Sequence, residues 1–214
     1  YALAAVPARY ALEREQWVEA AALTPHPDFP WAKAPQAEAV VHFARALGAA
    51  RGANPVVAKE AVARLGELRQ ALIDAKQAYW AGQVEIQAKV AGAWLALAEG
   101  RKEEALAMLR NAADAEDATE KHAVTPGPLV PARELLGAML LELDEPAAAL
   151  KEFEASHTIE PNRFHGLAGA ARAAERAGDR SKAKDYYTRL VELAGSGEGE
   201  RAALVRAKEV LATQ

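Results

Sequence analysis

The sequence predicts an all-α chain built of short antiparallel helix pairs. Three observations carry this reading. Ala, Leu, Glu, Arg and Lys dominate the composition, a mixture that favours helices. Few stretches alternate β-branched or aromatic residues with polar ones, so strands find little support. A pattern of small and large residues also recurs. Ala149-x-x-x-Phe153 is followed 34 residues later by Ala183-x-x-x-Tyr187, and Ala105-x-x-x-Leu109 precedes it by 44, one period plus an insertion of about ten.

Residues 130–163 read as one complete pair. Leu136-Gly137 and Leu140 lie in its first helix, Ala149 and Phe153 in its second, and Pro161 closes it. The physical reason is close packing. Gly137 and Ala149 let two backbones approach where the helices cross, and Phe153 fills the wedge beside the crossing. Pro161 cannot continue a helix. One pair cannot bury both of its faces, so each needs a neighbour.

This order of residues resembles the tetratricopeptide repeat, whose pattern is W-x2-L-G-x2-Y, then A-x3-F, then P over 34 residues. The chain departs from it at Arg133, where the pattern has Trp, and at Leu140, where it has Tyr. The resemblance implies a right-handed superhelical solenoid of about five helix pairs plus a C-terminal capping helix. It makes residues 1–214 one array, with the best copies at 86–119, 130–163 and 164–195 and the cap at 198–213.

Taken in order, residues 1–23 read as a worn repeat. Leu3, Val6 and Tyr10 have helical spacing, Glu15-Gln16 makes the turn, and Pro7 kinks the first helix or marks its real start. Four prolines between residues 24 and 35 make a surface loop in which Trp31 folds back as an anchor. A helix over about 35–51 starts on Pro35, a natural first position, and breaks at Gly52-Ala53-Asn54-Pro55. The next, about 56–74, carries Val62, Leu65, Leu68 and Leu72, with either Ala58 or Ala61 at its crossing. A helix over about 78–99 ends at Gly100, and its partner over 102–118 carries Glu103 and Glu104 where the helix dipole favours them. Residues 119–131 hold three prolines and a glycine and predict an extended loop, which accounts for the extra spacing. Gly195-Ser196-Gly197-Glu198-Gly199 predicts a flexible joint. The last helix, about 200–212, has one apolar face (Ala203, Leu204, Ala207, Val210, Leu211) and one charged face, as a cap requires.

Composition narrows the function. A net charge of −4 with no basic stripe argues against a nucleic-acid partner. No 18-residue apolar run is present, which argues against membrane insertion. Zero cysteines exclude disulfides, Cys–zinc sites and a Cys nucleophile, and fit a reducing or an oxidising compartment equally. The first residue is Tyr1 rather than Met and already lies in a helical pattern, so the chain reads as a piece of a longer one.

Catalytic and metal patterns find little support. No two of His26, His42, His122, His157 and His165 stand at i, i+4, and no HExxH or EF-hand ladder occurs. A metal site drawn from His42, Glu85 and His122 competes with a blander reading as capping, core and loop residues. Ser156, Ser181 and Ser196 lie outside any G-x-S-x-G elbow, and no glycine-rich phosphate loop is visible. Glu103-Glu104 and Glu116-Asp117 are adjacent on helices and diverge, as solvated faces do. No pattern calls for a cofactor, and the expectation is a non-enzyme.

What remains is surface. In proteins resembling tetratricopeptide arrays the first helix of each pair lines a concave groove for peptides or partner helices. That mapping implies a lining of Gln87, Val90, Trp94 and Leu97, then Pro131, Glu134, Ala138 and Leu141, then His165, Ala168, Arg172 and Glu175. Trp94 fits either the groove or the core. The lining suits an amphipathic helix or an extended apolar segment of a protein or peptide partner. Chaperone-binding members grip a C-terminal carboxylate with groove-facing Lys, Asn and Arg. Here those slots carry Val90, Trp94, Glu134, Ala138 and Ala168, with Arg172 the sole cation, so a chaperone-tail clamp is not expected.

Three passages add a narrower likeness: 42–48, 79–87, and the loop 120–131 leading into Ala132-Arg133-Glu134-Leu135-Leu136. They resemble the C-terminal part of a group of bacterial tetratricopeptide proteins that often carry an export signal, which implies a bacterial and periplasmic or exported setting. Two further readings stay open. One is a small-molecule or metal site where the 119–131 loop crosses the groove, using Trp80, Gln87, His122 and Glu134. The other is an architectural cap that self-associates through exposed apolar edges.

Overall fold

The computed structural model describes residues 1–119, 127–195 and 201–213. Among these residues there are eleven α-helices and no strand, and the helices pack in adjacent pairs. They are α1 (Ala2–Glu13), α2 (Trp17–Ala22), α3 (Pro35–Arg51), α4 (Pro55–Asp74), α5 (Ala78–Ala98), α6 (Lys102–Asp117), α7 (Ala132–Glu142), α8 (Pro146–Ile159), α9 (Phe164–Arg176), α10 (Arg180–Ala194) and α11 (Ala202–Ala212). Two compact units divide the chain, Tyr1–Ala132 and Arg133–Gln214.

Starts and stops follow from single residues. Pro35, Pro55 and Pro146 occupy the first turn of α3, α4 and α8, where a missing N–H costs nothing. Asn54 Oδ1 accepts from the Val57 N–H (3.3 Å) and Asp179 Oδ1 from the Lys182 N–H (3.0 Å), capping α4 and α10. Six turns share one closure. Glu15, Ala53, Lys76, Gly100, Asp144 and Gly178 take positive φ, between 52° and 82°. The next residue then donates its N–H to the carbonyl five positions back, at 2.8–2.9 Å: Gln16 to Ala11, Asn54 to Ala49, Gln77 to Leu72, Arg101 to Ala96, Glu145 to Leu140, Asp179 to Ala174. Only two of the six are glycine, so the rest hold a backbone that L side chains disfavour.

In the first unit α3 is the centre. Twelve of its residues are buried, including Val40, Phe43 and Leu47, because α1, α2, α4 and α5 all pack on it. Gly48 makes the α2 contact possible: a Cβ there would lie 2.5 Å from the Ala21 backbone nitrogen. The first helices α1, α3 and α5 pack successively on one another. The second helices α2, α4 and α6 make no comparable contact with each other among the described residues. Both Ala58 and Ala61 are buried, so the two candidate crossing residues of α4 serve together. The loop before α3 holds a single 3-10 turn, Trp31–Lys33. Trp31 Nε1–H donates to the His26 carbonyl (2.7 Å) and its ring meets Phe29 at 4.5 Å, which anchors the loop on itself.

In the second unit Phe153 of α8 is the wedge. A Cβ on Gly137 of α7 would lie 2.8 Å from its ring, and one on Gly169 of α9 would lie 2.2 Å away. The ring therefore fills a slot that two glycines open from opposite helices. Ala105, Ala149 and Ala183, the three small residues of the recurring pattern, are all buried, as is Tyr187. On α11 Leu204 and Ala207 are buried while Val205 is exposed, so one face of that helix packs.

Pro7 does not mark a helix start. The helix begins at Ala2 and runs through the proline. The last helix starts at Ala202, and the joint residues 196–199 and loop residues 120–126 lie outside the described residues. No helix among the described residues is long and apolar enough to cross a membrane.

The packing makes opposite predictions for two glycines. Gly169→Ala should lower stability by about 1–3 kcal/mol, since the added methyl meets the Phe153 ring. Gly66→Ala, where an added Cβ meets nothing within 4 Å, should raise it by about 0.5–1 kcal/mol through helix propensity. Urea denaturation of both variants checks this, and equal shifts would contradict the packing.

Candidate functional site

In the first unit the mapped stripe lies on α5. Val90 and Trp94 are each 2% exposed, while Gln87 and Leu97 are half-buried. Trp94 thus lies in the interior. The Arg51 guanidinium covers its ring at 4.2 Å and covers Trp17 at 4.3 Å, so a cation is stacked between two indoles from three helices. Trp94 Nε1 and Gln87 Oε1 are enclosed without hydrogen-bond partners among the described residues. Trp80 is half-buried and meets Tyr79 edge-on at 5.2 Å.

Nearby on α3 a buried carboxylate organises charge. Arg64 Nε and Nη2 donate to Glu38 Oε1 at 2.9 and 2.8 Å, and His42 Nε2 lies 3.4 Å from the same oxygen. Burial holds the His42 imidazole below its ordinary pKa, although Glu38 acts against that shift. Glu85 takes Lys89 at 2.9 Å and Arg69 at 3.0 Å. The Lys89 hydrogen bond does most to keep its carboxyl below the usual range. Both members of the imagined His42 and Glu85 ligand set therefore have other partners. The third, His122, lies outside the described residues, as it does for the alternative ligand site. Among the described residues no three His, Asp or Glu side chains gather as a metal-ligand set.

In the second unit Glu134 of α7 is 3% exposed, and Arg163 Nε donates to its Oε1 at 2.7 Å. Its charge is turned inward and neutralised rather than displayed on a wall. Leu141 is buried as well, and its carbonyl accepts from Arg176 Nη1 at 2.8 Å. The same guanidinium reaches Asp144 Oδ1 at 2.7 Å, which ties the ends of α7 and α9 together. His165 is half-buried beside Phe164 (5.8 Å, edge-on), and Arg172 is exposed. Of the other residues mapped in this unit, Ala138 and Glu175 are half-buried as well, and Ala168 is buried. The Glu175 carboxylate accepts from Tyr187 Oη at 2.7 Å and pairs with Arg206, so it pins α11 to α9.

One group was not singled out as a site. His157, near the end of α8, stacks on Tyr186 at 5.7 Å, and both its ring nitrogens are enclosed. A Cβ on Gly166 would lie 3.0 Å from His157 Cε1 and 3.1 Å from Glu134 Oε1, so the ring and the buried ion pair share one corner. Burial lowers the His157 pKa, Arg189 adds to the shift, and Glu154 opposes it. Tyr186 donates to Glu154 Oε1 at 3.1 Å, and burial pushes its phenol up to about 12. Ser156, the neighbour of His157, is buried, and its Oγ makes no hydrogen bond among the described residues. The chemical resource of the site is therefore packing surface and compensated charge.

Comparison with protein-family models finds no match to this chain, and comparison with curated proteins finds none either.

The His157 environment sets a pH dependence. Its folded-state pKa lies below the ordinary 6.5, so the unfolded chain takes up the proton first. Its contribution to stability is complete above that value and is lost as pH falls below it, towards the lowered one. His157→Phe keeps a ring on Tyr186 and removes the titration. Denaturation at pH 7 and pH 5 should show a smaller loss for the variant than for the parent. Parallel losses would assign the acid sensitivity elsewhere, His42 being the other lowered imidazole.

Proposed function

We propose that the chain is a non-catalytic helical-repeat scaffold of the tetratricopeptide type, which holds a protein segment against its first helices. The observation that carries this is the unequal packing of the first unit. There α1 packs on α3 and α3 on α5, while α2, α4 and α6 make no comparable contact with each other among the described residues. A layer whose members approach more closely becomes the inner side of a curved wall, and such walls are the extended binding surfaces of repeat proteins.

In the first unit Leu97 and half-buried Gln87 of α5 are the accessible residues of that layer, over buried Val90 and Trp94. In the second unit, taken by itself, His165 and Arg172 of α9 are accessible, while Glu134 and Leu141 of α7 are buried. The guest that fits is an amphipathic helix or an extended apolar segment. A chaperone-type tail is disfavoured by the non-cationic clamp slots Val90, Trp94, Ala138 and Ala168, not by Glu134, whose charge Arg163 neutralises.

The test is a pull-down with the parent chain and with Leu97→Glu and Arg172→Glu. Circular dichroism should first show all three equally folded, since neither side chain is fully buried. Both variants should recover less of any partner the parent retains. Equal recovery from all three would remove these helices from the binding surface.

A further inference from the structure

We propose that His157 is a proton-operated latch, whose charging opens the corner where α8 meets α9 and loosens the start of α9. The corner lies within the second unit, among α7, α8, α9 and α10. The His157 ring belongs to the last turn of α8 and stacks on Tyr186 of α10, with both nitrogens enclosed. Gly166 of α9 leaves the space for it. A Cβ there would lie 3.0 Å from His157 Cε1 and 3.5 Å from Nδ1. Three helices therefore close around the two nitrogens.

A neutral ring suits this enclosure and a charged one does not, because both N–H groups of an imidazolium need acceptors and its charge needs a counter-charge. The Gly166 backbone supplies one hydrogen bond. Glu134 and Glu154, the carboxylates of α7 and α8 at this corner, already hold cations. Glu134 Oε1 takes Arg163 at 2.7 Å. Glu154 Oε1 takes Lys182 Nζ at 2.7 Å and the Tyr186 hydroxyl at 3.1 Å. On α10, Asp185 is exposed and acts on the Tyr186 phenol. Arg189 of the same helix covers the Tyr186 ring at 5.5 Å, so a charged His157 becomes a second cation against that ring. Burial and Arg189 both hold the His157 pKa below 6.5, against Glu154 and the Gly166 bond. An opened corner thus takes up the proton before a closed one, and opening gains as pH falls below 6.5.

An imidazolium unmatched inside turns towards water, and the last turn of α8 moves with it. The chain then passes through a short link, residues 160–163, with Asn162 at a φ of 58°. Arg163 ends that link and is the cation of buried Glu134, and α9 begins at the next residue, Phe164. Movement of the α8 end therefore strains the pair that fixes the start of α9. The consequence for a guest rests on the reading of α9 as part of the binding surface.

Hydrogen exchange of the 214-residue chain at pH 7 and pH 5, read by mass spectrometry, tests the latch without a guest. After correction for intrinsic rates, amides 157–167 should exchange roughly tenfold faster at pH 5. His157→Phe keeps a ring on Tyr186 and should abolish the difference, whereas His165→Gln should retain it. Titration of the His157 Cε1–H resonance needs no variant and should give an apparent pKa below 6.5. Equal exchange at both pH values in the parent, a difference that survives His157→Phe or vanishes with His165→Gln, or an apparent pKa at or above 6.5 would overturn the proposal. Guest recovery at the two pH values is a separate readout. Faster exchange with unchanged recovery supports the latch and counts against α9 as guest surface.

Discussion

Helices can lie as close as they do here only where the side chain between them is a hydrogen or a methyl. Phe153 states the constraint most clearly. Its ring occupies a slot opened by Gly137 from α7 and Gly169 from α9, where a single methyl would come within 2.8 and 2.2 Å of it. Three consecutive helices of the second unit are thereby located by one aromatic ring. Ala149, four residues earlier on the same helix face, is fully buried in the same way. In the first unit Gly48 lets α2 touch the α3 backbone, and Gly92 leaves room for the Met108 methyl from α6. Interiors of this kind are dense and tolerate little change in volume.

Charge follows from that geometry. With small residues at the crossings, long cations and carboxylates reach across from one pair to the next. Arg163 meets Glu134, Arg176 meets Asp144, Lys182 meets Glu154, and Lys59 meets Glu99. Most of these pairs are partly exposed to water, which screens them, and each contributes little. Glu134 is the exception, because an enclosed carboxylate without its cation would be strongly destabilising. The Arg51 stack on Trp17 and Trp94 performs a similar tie with π faces in place of a carboxylate. These groups orient helices toward one another. That is why the polar residues which first suggest chemistry are largely turned inward, and why the residues left outside suit contact with another chain.

Much of the helical framework was legible because its signals are local. Pro35 opens α3 and Arg51 ends it, as the proline and the glycine-containing break indicate. Gly100 ends α5 at positive φ. The recurring alanine and aromatic placed Ala149 and Phe153 in the interior. The turns at Glu15-Gln16 and at Gly52-Ala53-Asn54-Pro55 were signalled, but those at Lys76 and Asp144 were not, and at all four the left-handed backbone is imposed by the helices on either side and not by residue type. The site was less legible than the framework. Helical periodicity assigns Gln87, Val90, Trp94 and Leu97 to one stripe, yet it does not say what covers the stripe. Arg51, 43 positions before Trp94, covers part of it. Glu134 is matched by Arg163, 29 positions on, which no local pattern links to it. Long-range partners of this kind depend on how pairs nest, and nesting is written in the crossings.

The crossing at Ala149 therefore tests the account most directly. Replacing this methyl by a leucine side chain adds volume where α8 has none to spare, and urea denaturation of Ala149→Leu measures the consequence. The account predicts a cooperative transition with stability lowered by about 1–3 kcal/mol. A midpoint and slope equal to those of the parent would mean that Ala149 is not at a helix crossing, and the close packing inferred from it would be wrong.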